Sequence, residues 1–264
     1  MGPTNDVLRI AAVGDLHCSK DSTDHLRPIF SELSEQADVL VLCGDLTDWG
    51  LPEEAHLLIK ELAPALKIPV LAVLGNHDFE SGKQDEVRRI LVKAGVHVLD
   101  GEALEIKDIG FVGVKGFGGG FGQRALQPWG EVPIKRFVQE AVDESLKLES
   151  ALAKLRVNQR VALLHYSPSV STVQGEPAEI YAFLGSSRLE EPLNRYGVQT
   201  IFHGHAHYGT PEGRTQQGAT IYNVAMPLLQ RHFPDRLPFR VIHLPKALAP
   251  SPLQGTAPQA DVVI

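Results

Sequence analysis

Gly14-Asp15-Leu16-His17, Gly44-Asp45-Leu46-Thr47-Asp48, Gly75-Asn76-His77-Asp78, a solitary His165 and Gly204-His205-Ala206-His207 are the segments of this sequence whose residue types and spacing suit chemistry. Carboxylate, amide oxygen and imidazole together favour borderline or hard first-row divalent ions, and thiolate is missing from the set. The candidate metal ligands are Asp15, His17, Asp45, Asn76, His165, His205 and His207. They are too many for one ion of ordinary coordination number, and a carboxylate can bridge two, so a pair of metals is the simplest reading. Two ions roughly 3.5–4 Å apart can share a bridging hydroxide, lower the pKa of that water and clamp phosphoryl oxygens during in-line attack. Water is then the nucleophile. No Gly-x-Ser-x-Gly elbow or lone cysteine with a catalytic context competes, and no usable Walker or dinucleotide glycine pattern is present.

Taken singly, these residues have plainer readings. Asp15 or Asp45 alone suits a helix N-cap, and Asn76 alone suits a turn. Caps and turns do not call for five imidazoles beside strand ends, which weakens those readings jointly. His203 precedes the Gly-His-x-His segment at a strand end, and its position leaves open whether it supports the site or faces solvent. Cys18 reads as a small buried hydrophobe rather than a site-edge thiol. His25, His56, His97, His232 and His243 match no motif and read as surface or core residues.

The elements that must position these groups follow from hydrophobic periodicity. Val7–Val13, Asp38–Cys43, Pro69–Leu74, Arg160–Leu164 and Val198–Phe202 are short apolar runs rich in β-branched residues, and read as buried strands. Each candidate cluster immediately follows one of them. Helical patterns separate the early strands: Leu26, Ile29, Phe30 and Leu33, then Leu57, Leu58 and Leu62, then Val87, Ile90, Leu91 and Ala94 before Gly95. Beyond Gly95, short alternating strands at 96–99, 104–106, 109–114, 220–224 and 239–244 suggest a second sheet. The expected fold class is α/β, a four-layer α/β/β/α sandwich of two mixed sheets flanked by helices, with the site in the crevice beyond the strands' carboxyl ends. Lys115–Glu131, Gly-rich and aromatic, and an amphipathic helix from about Ile134 to Leu155 read together as an insertion over the core, at about residues 115–156. Gly116–Phe121 suits either a mobile lid or a flexible surface loop, and Lys115 and Arg124 are candidate phosphate contacts. Residues 1–245 are expected to form one domain, and 246–264, rich in Pro, Ala and Gln, a flexible tail.

At 264 residues, with 43% hydrophobic and 22% charged residues, the chain is long enough and apolar enough to bury a substantial core. Its formal net charge of −7 offers no basic field for a polyanion, so neither general nucleic-acid binding nor attachment to an acidic membrane is expected. Two cysteines exclude a disulfide framework and suit a reducing, cytoplasmic setting. No secretory leader or membrane-spanning run is legible. The expected partner is a small phosphoester substrate, and the insertion's long helix offers a surface for a homo-oligomer.

In order, Asp-x-His, Gly-Asp-x-x-Asp, Gly-Asn-His-Asp, a lone His and Gly-His-x-His resemble the calcineurin-like metallophosphoesterases from Asp15 to His207. The resemblance implies that Asp15, His17 and His207 hold one metal, that Asn76, His165 and His205 hold the other, and that Asp45 bridges them. It implies two divalent ions, Mn, Fe or Zn, with Mn favoured. It makes His77 the proton donor to the leaving group and Asp48 the residue that orients it, with Asp78 in a supporting role. Trp49, where Ser/Thr protein phosphatases usually carry Arg, disfavours that subfamily. Asp48, where purple acid phosphatases place Tyr, and His77, where UDP-diacylglucosamine hydrolases place Arg, disfavour those two. The run from Gly44 to Glu54, followed by Pro69–Asp78, looks like the bacterial cyclic-nucleotide and glycerophosphodiester phosphodiesterase branch. His165-Tyr166-Ser167-Pro168 departs from that branch's His-His-Pro-Pro. A small-molecule phosphodiesterase is the leading reading, with a phosphomonoesterase or nuclease on the same core as the alternative. A non-catalytic scaffold, like the phosphoesterase-fold subunit of retromer, is the reading from another class.

Overall fold

The computed structural model describes residues 7–22 and 25–245. The first half of the chain alternates strand and helix: β1 (Val7–Val13), α1 (Leu26–Gln36), β2 (Val39–Cys43), α2 (Pro52–Leu62), β3 (Val70–Val73), α3 (Gln84–Lys93) and β4 (His97–Val98). Each helix returns the chain so that the next strand runs parallel to the last. The second half contains β5 (Glu102–Ile106), β6 (Ile109–Gly113), α4 (Val132–Leu152), β7 (Gln159–Leu163), α5 (Tyr181–Leu184), α6 (Ser187–Arg195), β8 (Thr200–His203), β9 (Glu212–Arg214), β10 (Thr220–Asn223), α7 (Met226–His232) and β11 (Arg240–Pro245). One sheet has the order β11-β1-β2-β3-β4 and the other β5-β6-β7-β8-β10-β9.

Two-residue periodicity sorts the side chains into layers. In β1, Leu8, Ile10 and Ala12 enter the space between the sheets, where they join Val41, Leu71, Phe111, Val161, Leu163 and Phe202. Ala11 and Val13, on the opposite face, join Phe30 and Leu33 of α1, Leu58 and Leu62 of α2, and Val87 and Leu91 of α3. On the second sheet's outer face, Val112, Ala162, Ile201 and Ile221 meet Leu148 and Leu152 of α4 and Leu189 and Leu193 of α6. The result is the expected α/β/β/α sandwich. Truncating a ring such as Phe111, fully buried between the sheets, to Ala costs about 3–5 kcal/mol.

Sheet membership differs from the sequence expectation. The strands at 97–98 and 240–245 are edges of the first sheet, whereas 159–163 and 200–203 lie inside the second. Apolar alternation marks a strand but does not choose its neighbour, and pairing is settled by how the connecting helices bring the chain back. β9, α5, α6 and α7 carried too short a pattern to be expected. The 21-residue α4 is the parallel crossover from β6 to β7 and shares the outer layer with α6. No helix among the described residues is long and apolar enough to cross a membrane. The segment 246–264 lies outside the described residues.

β1, β2 and β3 are mutually parallel, as are β7 and β8. The loops that leave their carboxyl ends carry all the candidate ligands.

Candidate metal centre

The backbone is bent where the candidate ligands sit. Asp15 (φ 55°), His17 (φ 44°), Asp45 (φ 47°) and His205 (φ 68°) occupy the left-handed region, which costs a non-glycine residue on the order of 1–3 kcal/mol. Neighbouring loops hold them there. Asp15 N donates to Gly44 O at 2.9 Å and His17 N to Asp45 O at 3.0 Å, which ties the β1 loop to the β2 loop. His205 N donates to the Asp15 carboxylate at 3.0 Å and so brings in the β8 loop. A side chain at Gly75 would collide with Asp45, and one at Gly204 with Asp15, so these two glycines permit the close approach.

These bends gather the ligand atoms into overlapping groups. Asp15, His17 and His207 form one, and Asp45, His165 and His205 another, with ligand atoms within 4.8 Å of one another in each. Asp45 stands between them: Oδ2 is 3.9 Å from His17 Nε2 and Oδ1 is 3.4 Å from His165 Nε2. Asn76 joins the second group, its Oδ1 2.8 Å from His165 Nε2. His77 joins His17 and Asp45 in a third group, its ring centroid 4.5 Å from that of His17.

Hydrogen bonds select the nitrogen each ring offers. His165 Nδ1 donates to Cys43 O (3.0 Å), and His205 Nε2 to Phe183 O (3.1 Å). His17 Nδ1 donates to Asp48 Oδ1 (3.2 Å), which leaves His17 Nε2 buried with no partner among the described residues. An imidazole nitrogen held this way, with its other nitrogen fixed by a carboxylate, is prepared for a metal. Charge points the same way: Asp15, Asp45 and Asp78 are buried, and among the described residues no Lys or Arg forms an ion pair with any of them. Without metal, the positive charge facing Asp45 and Asp15 comes from the imidazoles of His165 and His207, and divalent ions held by the neutral rings would take over that role. The donor set therefore fits such ions.

Burial alone would push the His165 imidazolium down and the Asp45 carboxyl up. Their attraction reverses both, lifting His165 to about 9 and holding Asp45 well below the usual carboxylate range. Asp78 accepts from Leu46 N (3.2 Å), Thr47 N (2.9 Å), Thr47 Oγ1 (2.6 Å) and Gly75 N (2.8 Å), so it fastens the β2 loop to the β3 loop from beneath. His203 is fully buried, bonded through Nε2 to Thr172 Oγ1 (2.8 Å) and through Nδ1 to Gly204 O (2.7 Å). It lies under the ligand loop, away from solvent. Burial pushes it down to about 4, so it is neutral.

Three expectations change in detail. The Asp48 carboxylate turns to His17, and His77 Nδ1 instead donates to the Asp48 backbone carbonyl at 2.7 Å, 4.0 Å from Oδ1. Gly116–Phe121 packs against the segment from Ala182 to Gly185. Gly120 N donates to Gly185 O at 2.8 Å, and a side chain on Gly118 would meet Ala182 O at 2.6 Å. Lys115, a candidate phosphate contact, is largely buried among aromatic rings. The sequence reading missed Thr172, and Asn223, whose Nδ2 holds Ala206 O at 2.8 Å. Neither carries a motif, since each acts through contacts with residues distant in sequence.

Comparison with known proteins agrees with this geometry. The calcineurin-like phosphoesterase family model matches residues 8–209, and the chain belongs to that family. An uncharacterised protein of Methanocaldococcus jannaschii, MJ1162, is 32% identical over 109 residues, 41% of this chain and 44% of that one. The match thus spans less than half of that relative. Among solved structures, the phosphopantetheinyl hydrolase PptH of Mycobacterium tuberculosis superposes with a TM-score of 0.65 at 14% identity, covering 96% of this chain and all of that one. TT1561 of Thermus thermophilus gives a TM-score of 0.50 at 14% identity, covering 84% and 91%. Both share the fold.

Proposed function

We propose that this chain is a binuclear-metal-dependent hydrolase of small-molecule phosphodiesters. In this reading Asp15, His17 and His207 hold one ion, Asn76, His165 and His205 the other, and Asp45 both. The observation that carries it is Asp45, a buried carboxylate with one oxygen toward a histidine of each group. Divalent ions bound there, with Mn favoured over Fe or Zn, supply Lewis acidity toward phosphoryl oxygens and acidify water.

The chain's own residues do the rest. His77 stands at the mouth, its Nδ1–H fixed by the Asp48 carbonyl, so the protonated ring presents Nε2–H to a departing alkoxide. Asp48 keeps His17 in the tautomer with Nε2 bare and lends negative charge to the His77 imidazolium. Asp78 holds the loops of Asp45 and Asn76 in register.

The run from Gly44 to Glu54, with its likeness to the phosphodiesterase branch, supports a diester over a monoester. The phosphopantetheinyl hydrolase among the structural neighbours supports phosphoester hydrolysis as the reaction type. One observation favours the alternative, a phosphomonoesterase or nuclease: Arg231 donates to His207 O at 2.9 Å and stacks on exposed Tyr208 at 4.2 Å, a guanidinium beside the site. The deciding experiment strips the protein of metal, reloads it with Mn²⁺, Fe²⁺ or Zn²⁺, and assays mono-, di- and cyclic phosphoesters. Diester turnover that needs metal is expected. Turnover indifferent to metal, or confined to monoesters, rejects the reading.

A further inference from the structure

Beside the metal centre, at the same rim of the two sheets, lies a cavity of about 100 Å³ lined by Leu74, Phe79, Gln84, Asp85, Arg88, Val98, Leu99, Asp100 and Lys115. Its walls belong to the loops that build the site. Leu74 and Phe79 flank Asn76 and His77, and the Lys115 carbonyl accepts from both His165 N and Tyr166 N at 3.0 and 3.1 Å. Whole-ligand pockets run roughly 300–1,000 Å³, so this one suits a single appended group.

Two of its polar groups are under-satisfied. The Lys115 ammonium, its side chain only 11% exposed, bonds one acceptor among the described residues, the Gly116 carbonyl at 2.9 Å. Its carboxylate neighbour, Glu140, is 4.0 Å away, and the rings of Phe79, Phe117 and Tyr166 surround it at 5.4, 4.7 and 5.4 Å. Gln84 lines the cavity, and its Oε1 is buried with no donor among the described residues. A buried ammonium with spare N–H groups and a carboxamide oxygen with no donor call for a guest that accepts from one and donates to the other. The charges lining the cavity balance: Asp85 and Asp100 stand with Arg88 and Lys115. A second anion gains little there, and a neutral dipolar group suits it.

We infer that this cavity is a substrate subsite for a neutral group that presents a hydrogen-bond acceptor and donor side by side, a carboxamide above all, carried on the arm of the phosphoester that does not leave. This rests on the phosphodiesterase reading and narrows its substrate class. The orientation follows from the chemistry: Lys115 donates to the carbonyl oxygen, Gln84 Oε1 accepts the N–H, and Phe79, Val98 and Leu99 cover the methylenes.

The test uses the Mn²⁺-loaded protein and paired 4-nitrophenyl diesters with the same leaving group. One member carries a 2-acetamidoethyl or 3-acetamidopropyl arm, and its partner an alkyl arm of equal length. The acetamido member is expected to win by about tenfold in kcat/KM, through KM, as a charged hydrogen bond implies. Lys115→Met and Gln84→Leu should each bring the ratio close to one. Gln84 opens α3 and is only half-buried, so Q84L keeps the test decisive should K115M fail to fold. A parent ratio near one, or a preference that survives Q84L, overturns the subsite. If no diester is hydrolysed, the phosphodiesterase reading fails on its own, and NMR titration of the Gln84 side-chain amide decides the subsite. A shift with N-acetylethanolamine phosphate but not with pentyl phosphate upholds it. Equal shifts, or none, reject it.

Discussion

The two ligand groups differ in how they meet solvent. In the group of Asp45, His165, His205 and Asn76, the first two side chains are 2% and 0% exposed, with His165 locked by Cys43 O and Asn76, while His205 and Asn76 are half-buried. In the group of Asp15, His17 and His207, only the carboxylate is fully buried, while the rings are 23% and 32% exposed. One half is thus anchored on a fully buried carboxylate and imidazole, and the other has only its carboxylate fully buried and opens at the rim beside His77. The closed half is expected to be structural as well as chemical, and the open half to exchange its ion and meet substrate. Removing ions with a chelator and counting those left by mass spectrometry should show one lost early and one late. Simultaneous loss would break the contrast.

Asp45 belongs to both halves, so its change should be the largest. Asp45→Asn is expected to lower kcat/KM by about 10³-fold, the scale of losing a key charge in an excluded site, and to reduce occupancy at both positions. Unchanged stoichiometry and rate would refute the bridge. His77→Ala acts only at the open side. It should keep both ions and slow diesters of poor leaving groups by roughly 10²-fold or more, with a smaller loss for 4-nitrophenolate. Equal losses across leaving groups would remove its role as acid.

Asp48→Ala should weaken the ion at the open half by about 10–100-fold, because His17 loses the carboxylate that sets its tautomer. The closed half should keep its affinity, and isothermal titration separates the two. The smallest effect concerns stability and pH in the metal-free protein. His203 is held near 4 against 6.5 unfolded, so the unfolded chain takes the proton first and stability falls as pH drops from 6.5 to 4, by about 3 kcal/mol. His207, raised by Asp15 at 2.9 Å despite its partial burial, has the opposite sign: its contribution is present below 6.5 and fades as pH rises through its raised value. His203→Gln should flatten the acid limb of a melting-temperature profile and leave the alkaline limb alone. An unaltered acid limb would sink that account.

Every candidate ligand was legible because metal chemistry restricts residue type, and because parallel strands must end at a common edge. The same reasoning found β1, β2, β3, β7 and β8, whose runs are continuous and apolar. It misplaced β4 and β11, since a two-residue edge strand such as His97–Val98 carries no signal of its partner. The place of His203 and the burial of Lys115 stayed open, because neither burial nor the nearest ring is written in local sequence.

The sequence by itself picked out the candidate donors, their order along the chain and the layered class, since these follow from side-chain chemistry and from the two- and 3.6-residue periods. Tertiary structure alone decided which oxygen of Asp45 faces which histidine, that Asp48 serves His17 through its carboxylate and His77 through its carbonyl, and that Lys115 and Gln84 line one cavity. Those outcomes depend on distances between loops roughly 30 to 120 residues apart, which only the packing of two sheets sets.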